Sequence, residues 1–366
     1  MKHSYLKTFS FTNMPNFFKK GLLFLLILNT QKSYTQYYNS AFGLNGAPLK
    51  TTLHNIIKNH NSQAWPLWSY FPSTDNKGNN QVWDIYSDKP GATPPYVYVF
   101  GVNQCGSYNK EGDCFNHEHI WPSTFFNDAT PMRTDLHHIF PTDGYVNNKR
   151  SNYPFGKVSN ATWISDNNSK IGNSTTYLGY SDKVFEPIDE YKGDIARAYF
   201  YMSTRYESED AGWGNWPMAN GAQLTADAIS LLLSWHHNDP VSQKEIDRNE
   251  AIYSIQNNRN PFIDYPIFAD CIWGQGDCTA LSLQAIQESP NYPFYPNPCK
   301  DILYINQSGK SYIKIHIYNL IGIQLIEQSI SNAGQIGIST KHLHPGIYIA
   351  VAHTAQGIFK FQFNKE

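Results

Sequence analysis

The spacing of apolar residues changes abruptly near Asn291, and that change limits the folds open to this chain. Beyond it, Ile313, Ile315 and Ile317 alternate with Lys314 and His316, and Ile347 and Ile349 flank Tyr348. A period of two lines up one face of a strand. Gly322, Gly334, Gly346 and Gly357 fall where turns would separate such strands. A small all-β domain of roughly 75 residues follows from this pattern. The Pro-rich run YPFYPNP, residues 292 to 298, reads as the linker into it.

Upstream the pattern is mixed. Ile195, Ala198, Tyr199 and Met202 recur at three- and four-residue steps within residues 192 to 206, which predicts a helix packed on a core. A second helix is expected over Ala226 to Trp235. A third is expected after Asp239-Pro240, with Ile246, Ala251 and Ile255 within it. Helices interleaved with aromatic-rich loops give an α+β expectation for this region. The 366 residues suffice for two domains with separate cores.

The first residues place Lys19 and Lys20 directly before an apolar run from Gly21 to Leu28, with no acidic residue before Gln36. This reads as a secretory signal peptide, ending near Thr35 or Gln36. The run is too short for a membrane anchor, which needs about 20 apolar residues, so no stable membrane insertion is expected. The expected organisation is therefore a signal at residues 1–36, a mixed α+β domain at 37–290 and a small all-β domain at 291–366. Export also favours disulfides among the five cysteines. Cys105 with Cys114 and Cys271 with Cys278 are the close pairs, and Cys299 is left over.

Charge weighs against a nucleic-acid partner, whose usual footprint is basic. The formal net charge is -2, and loss of the five signal lysines takes it to -7. Cleavage, however, needs only a locally positive site, which a bound divalent cation can supply.

The stretch from Cys114 to Gly156 is the densest in chemistry, with His117, His119, His137 and His138 among hard oxygen ligands. A zinc-protease reading needs His-Glu-x-x-His, and the order here is His117-Glu118-His119. A structural zinc site on the four histidines is a second reading, although alternate strand residues face opposite ways and no thiolate is suitably spaced. Histidines bonded to backbone, with no chemistry, are a third. The fourth is phosphodiester hydrolysis at one hard cation, which needs oxygen ligands, a neutral imidazole and a cation for the phosphate. On an extended segment Glu118 and His119 point to different sides, one towards metal and one towards water. Asn147, in a polar helix-like run from Asp143, adds a neutral oxygen ligand, and Arg150 lies one helical turn further on.

Three motifs together, Asn116-His117-Glu118-His119-Ile120-Trp121-Pro122, Asp135-Leu136-His137 and Val146 to Asn152 (VNNKRSN), resemble the endonuclease I family of exported bacterial nucleases. Gln256 to Phe262 (QNNRNPF) is similar to its closing motif, so the resemblance spans most of residues 60 to 290. It implies a ββα-metal site with Glu118 and Asn147 as metal ligands, His119 as general base and products bearing 5'-phosphate ends. Two departures concern the phosphate. Many members carry Arg where this chain has His117, and others carry an insert with a phosphate-binding Arg where the connection from Pro122 to Asp135 is short. Arg150 and Arg133 are the candidates for that role. Arg197, Arg248 and Arg259 are open between a place near nucleic acid and a structural one.

Residues 295 to 298 (YPNP), 313 to 322 (IKIHIYNLIG) and 344 to 350 (HPGIYIA) resemble a type IX secretion sorting domain, a small β-sandwich that directs export across the outer membrane. A carbohydrate-binding module is the alternative. The combined expectation is a secreted or surface-attached endonuclease that cuts DNA without sequence preference, with RNA left open as a second substrate. Its cofactor is most naturally magnesium, with calcium or manganese equally suited to hard oxygen ligands. The type IX machinery is its expected export partner. An inactive adhesin or binding protein on the same scaffold and a phosphoesterase of small substrates are the competing readings.

Overall fold

The computed structural model describes residues 37–177, 179–180, 182–274, 276, 294–305, 312–319, 324–329, 336–354 and 357–366. The expected signal peptide, Cys278 and the first part of the expected linker lie outside these residues. The chain divides into two compact units, the first ending at Leu283 and the second starting at Gln284.

The first unit is α+β. Helix α1 is Gly46–Ile57. Strands β1 (Phe115–His119) and β2 (Ile139–Asp143) form an antiparallel pair, and α2 (Gly144–Arg150) follows β2 directly. Strands β3 (Val158–Ile164), β4 (Lys170–Ser174) and β5 (Lys183–Glu186) make an antiparallel meander. Three longer helices follow, α3 (Lys192–Arg205), α4 (Ala226–Asn238) and α5 (Gln243–Gln256).

Helix α3 runs through the middle of this unit and is buried from Gly193 to Arg205, not only along the apolar stripe read from its spacing. It packs against α1 and α4. The local signals that start the neighbouring helices are plain. Thr225 caps α4 by accepting from the Ala228 amide, and Ser242 with Glu245 forms a reciprocal capping box for α5. Helix α4 continues beyond Trp235, to Asn238.

The buried face of α5 is polar, carrying Lys244, Glu245, Arg248 and Asn249 beside Ile252. Each charge there meets an opposite one. Glu245 Oε2 lies 2.9 Å from Arg197 Nη2, Arg248 Nε lies 2.9 Å from Asp75 Oδ1, and Lys244 Nζ lies 3.1 Å from Asp194 Oδ2. Arg259 is likewise held by Asp264, at 2.7 Å. Arg197, Arg248 and Arg259 thus fasten elements together, the structural of the two roles open to them.

The second unit is all-β. A three-stranded sheet orders β6 (Phe294–Tyr295), β7 (Ile302–Ile305) and β10 (Ile336–Ser339). A four-stranded sheet orders β9 (Gln324–Ser329), β8 (Tyr312–Asn319), β11 (Gly346–Thr354) and β12 (Gly357–Lys365). Ile315 and Ile317 point into a core shared with Leu303, Ile338 and Phe363, as the period-two pattern requires. Cys299 is free and buried in the same core. Among the described residues no helix is long and apolar enough to cross a membrane.

Candidate active site

Strand β1, its partner β2 and helix α2 form one ββα unit. The register sets Phe115 opposite Asp143, His117 opposite Pro141 and His119 opposite Ile139. Asp143 then turns the chain into α2, its Oδ1 accepting from the Val146 amide at 2.8 Å. Its Oδ2 accepts from the Tyr98 hydroxyl at 2.5 Å and from the Gly112 amide at 2.9 Å, which fixes the start of the helix. The disulfide between Cys105 and Cys114 lies directly before β1. It also packs on α2, because a Cβ on Gly144 would meet Cys105 Sγ at 3.0 Å and Tyr108 Cδ1 at 2.8 Å. Cys271 is disulfide-bonded too, and its expected partner Cys278 falls outside the described residues.

Strand alternation sends Glu118 one way and His117 and His119 the other. Glu118 is buried, and its Oε1 accepts from the Tyr86 hydroxyl at 2.6 Å and lies 3.2 Å from Arg150 Nη1. Burial pushes its carboxyl upward, while Arg150 and Tyr86 oppose that push. Asn147 sits on the near side of α2, with Nδ2 donating to Asn116 Oδ1 at 2.8 Å and to the His117 carbonyl at 3.0 Å.

On the opposite face, His119 Nε2 lies 3.1 Å from the Arg133 carbonyl. A carbonyl oxygen can only accept, so Nε2 carries the proton and Nδ1 keeps the lone pair. Burial lowers the pKa of His119 to about 3, with His138 adding to the effect, so the ring is neutral near pH 7. The other three histidines bond to backbone. His117 Nε2 accepts from the Leu67 amide at 3.1 Å, His137 Nε2 lies 3.2 Å from the Asn258 carbonyl, and His138 Nε2 lies 2.8 Å from the Met132 carbonyl. They are not gathered around a metal: among the described residues no group of three or more His, Cys, Asp or Glu could hold one.

The two arginine candidates for phosphate differ sharply. Arg150 is buried, with Nη1 donating to the His119 carbonyl at 3.1 Å and Nη2 to the Ile120 carbonyl at 2.8 Å, besides its ion pair with Glu118. Its guanidinium ties the end of β1 to α2. Arg133 is half-buried, its carbonyl orienting His119 and its guanidinium 4.9 Å from the centre of the Trp65 ring.

Sequence reasoning missed Tyr86 and Trp65, and gave Asn116 no role beyond its place in the motif. Tyr86 lies 32 residues from Glu118 and belongs to no local pattern, so nothing in the sequence could have joined them.

Comparison with known proteins fits this geometry. Residues 45–267 match the family described as endonuclease I. The chain belongs to the endonuclease I family. It is therefore an endonuclease, of a family that is generally dependent on a divalent metal. An extracellular ribonuclease of Bacillus amyloliquefaciens is 35% identical over 249 residues, covering 65% of this chain and 78% of that protein. An endonuclease-1 of Buchnera aphidicola is 30% identical over 132 residues, covering 36% of this chain and 46% of its own length. A periplasmic deoxyribonuclease of Aeromonas hydrophila is 31% identical over 134 residues, 36% of this chain and 48% of that one. Residues 293–362 match a secretion system C-terminal sorting domain, so the endonuclease is secreted or held at the cell surface.

Proposed function

We propose that this endonuclease I family member hydrolyses DNA and RNA without sequence preference, with His119 as general base and Glu118 and Asn147 as metal ligands. The observation that carries the reading is the neutral, half-buried His119, whose proton is fixed on Nε2 by the Arg133 carbonyl. That leaves Nδ1 to take a proton from the water that attacks phosphorus. As the new P–O bond forms, the bond to the 3' oxygen breaks and the phosphate stays on the 5' end of the product.

Glu118 and Asn147 suit a hard divalent cation such as magnesium, calcium or manganese. The contacts described above fall on Glu118 Oε1 and Asn147 Nδ2, so Glu118 Oε2 and Asn147 Oδ1 are the donor atoms such a cation would use. The cation supplies neutralisation of the phosphate and of the departing oxygen. Tyr86 and Arg150 position the Glu118 carboxylate, and Arg133 is the residue we assign to the phosphate.

The test is cleavage of plasmid DNA and of RNA by the purified protein with magnesium, with calcium, with manganese and with chelator, followed by end-group analysis. Metal-restored cutting that leaves 5'-phosphate ends is the expected result. Undiminished cutting in chelator would remove Glu118 and Asn147 from their assigned roles.

A further inference from the structure

We infer that Trp65 is a stacking platform for an unpaired nucleobase next to the bond that is cut, which makes single-stranded nucleic acid the preferred substrate. The inference rests on the reading of His119 as the reaction centre.

Among the described residues of the nuclease unit, Trp65 is the aromatic side chain that stands exposed, at 40% of its surface; the unit's other described aromatic rings are buried or half-buried. Its position is not loose. The ring centre lies 4.4 Å from that of His117 and 5.9 Å from that of His119, to which it is nearly parallel at 22°. Two residues on, the Leu67 amide donates to His117 Nε2, so the backbone carrying Trp65 is fastened to β1 itself. Arg133, whose carbonyl orients His119, holds its guanidinium over the same ring, 4.9 Å from its centre, so a base would stack on the part of the indole left exposed.

A fixed apolar face beside a cation and a general base matches one nucleotide of a polyanion. The base stacks on the indole, and its phosphate lies towards the guanidinium. Every base has a π face, so such a contact tolerates any sequence. In a duplex both faces of each base are already covered by neighbours, and the indole has nothing to stack on. Shielding of His119 from solvent is the simpler role for Trp65, and it makes a different forecast, since a shield acts alike on every substrate.

The test compares kcat and KM of the full-length protein, Trp65→Ala and Trp65→Phe on a single-stranded oligonucleotide, on its duplex, and on a single strand with an abasic position beside the cut. For Trp65→Ala we expect KM on the single strand to rise about ten-fold, with a smaller rise on the duplex. Trp65→Phe should recover most of the loss. The abasic substrate should raise the KM of the unaltered protein by a similar factor and that of Trp65→Ala by much less. An equal loss on duplex and single strand, a loss confined to kcat, or indifference of the unaltered protein to the missing base would overturn the inference while leaving His119 in place. Absence of cleavage of every substrate by the unaltered protein would instead bring down the reading of the site, and this inference with it.

Discussion

Glu118 Oε1 and Arg150 Nη1 stand 3.2 Å apart, with 2% of one side chain and 1% of the other open to solvent. The pair joins the end of β1 to the last turn of α2, and the same guanidinium takes the carbonyls of His119 and Ile120. A carboxylate so deeply buried keeps its charge only because its partner is there.

Arg150→Ala should therefore destabilise the protein by about 3–5 kcal/mol, because it strands the Glu118 charge and two carbonyl groups. Urea denaturation followed by circular dichroism measures this. A loss below about 1 kcal/mol would mean that water replaces the guanidinium at no great penalty.

His119→Ala should lower kcat by a factor of about 100 to 10,000 while the melting temperature moves little, as expected for a lost general base. Single-turnover cleavage of a labelled oligonucleotide gives the rate. A rate close to that of the unaltered protein would transfer the proton to another group.

Acid should weaken the fold well before ordinary carboxylates titrate. Burial lowers His137 to about 3, and His138 and His236 to about 4. An unfolded histidine titrates near 6.5, so between roughly 6.5 and 4 the unfolded chain binds protons that the folded one refuses. Stability is then present in full above 6.5 and falls with pH, each histidine costing up to about 1.4 kcal/mol per pH unit. Urea midpoints at neutral pH and near pH 5 should differ clearly, and equal midpoints would mean that these rings become charged within the fold.

Replacing Cys105 and Cys114 together by serine should cost about 2–3 kcal/mol, the expectation for a short closed loop. Since Cys105 Sγ packs on Gly144, the loss should also reduce cleavage by loosening the start of α2. A matched pair of urea titrations and rate assays checks both effects. Full activity in the double variant would show that Asp143 alone holds the start of that helix.

What the sequence disclosed about this site was its local part. Alternation along an extended segment was enough to send Glu118 and His119 to opposite sides, and helical spacing was enough to bring Asn147 and Arg150 to the same strand. The contacts of Arg150 were not legible, because the carbonyls and the carboxylate that hold it become neighbours only after β1 and α2 pack together. Tyr86 and Trp65 were hidden for the same reason, each reaching the site across dozens of residues. The helices were legible where capping signals mark their starts, as at Ser242. The burial of Arg197 and Arg248 was not, since it depends on acidic partners from distant segments.

The buried cluster of the second unit runs from Phe294 to Phe363, while the largest cluster of the first ends at Cys271. Among the described residues each buried cluster is made of side chains from its own unit. A segment that closes its own core can be moved by recombination from one gene to the next without reworking what it is joined to. The segment that matches a sorting domain carries its own core, which is what such a portable part requires.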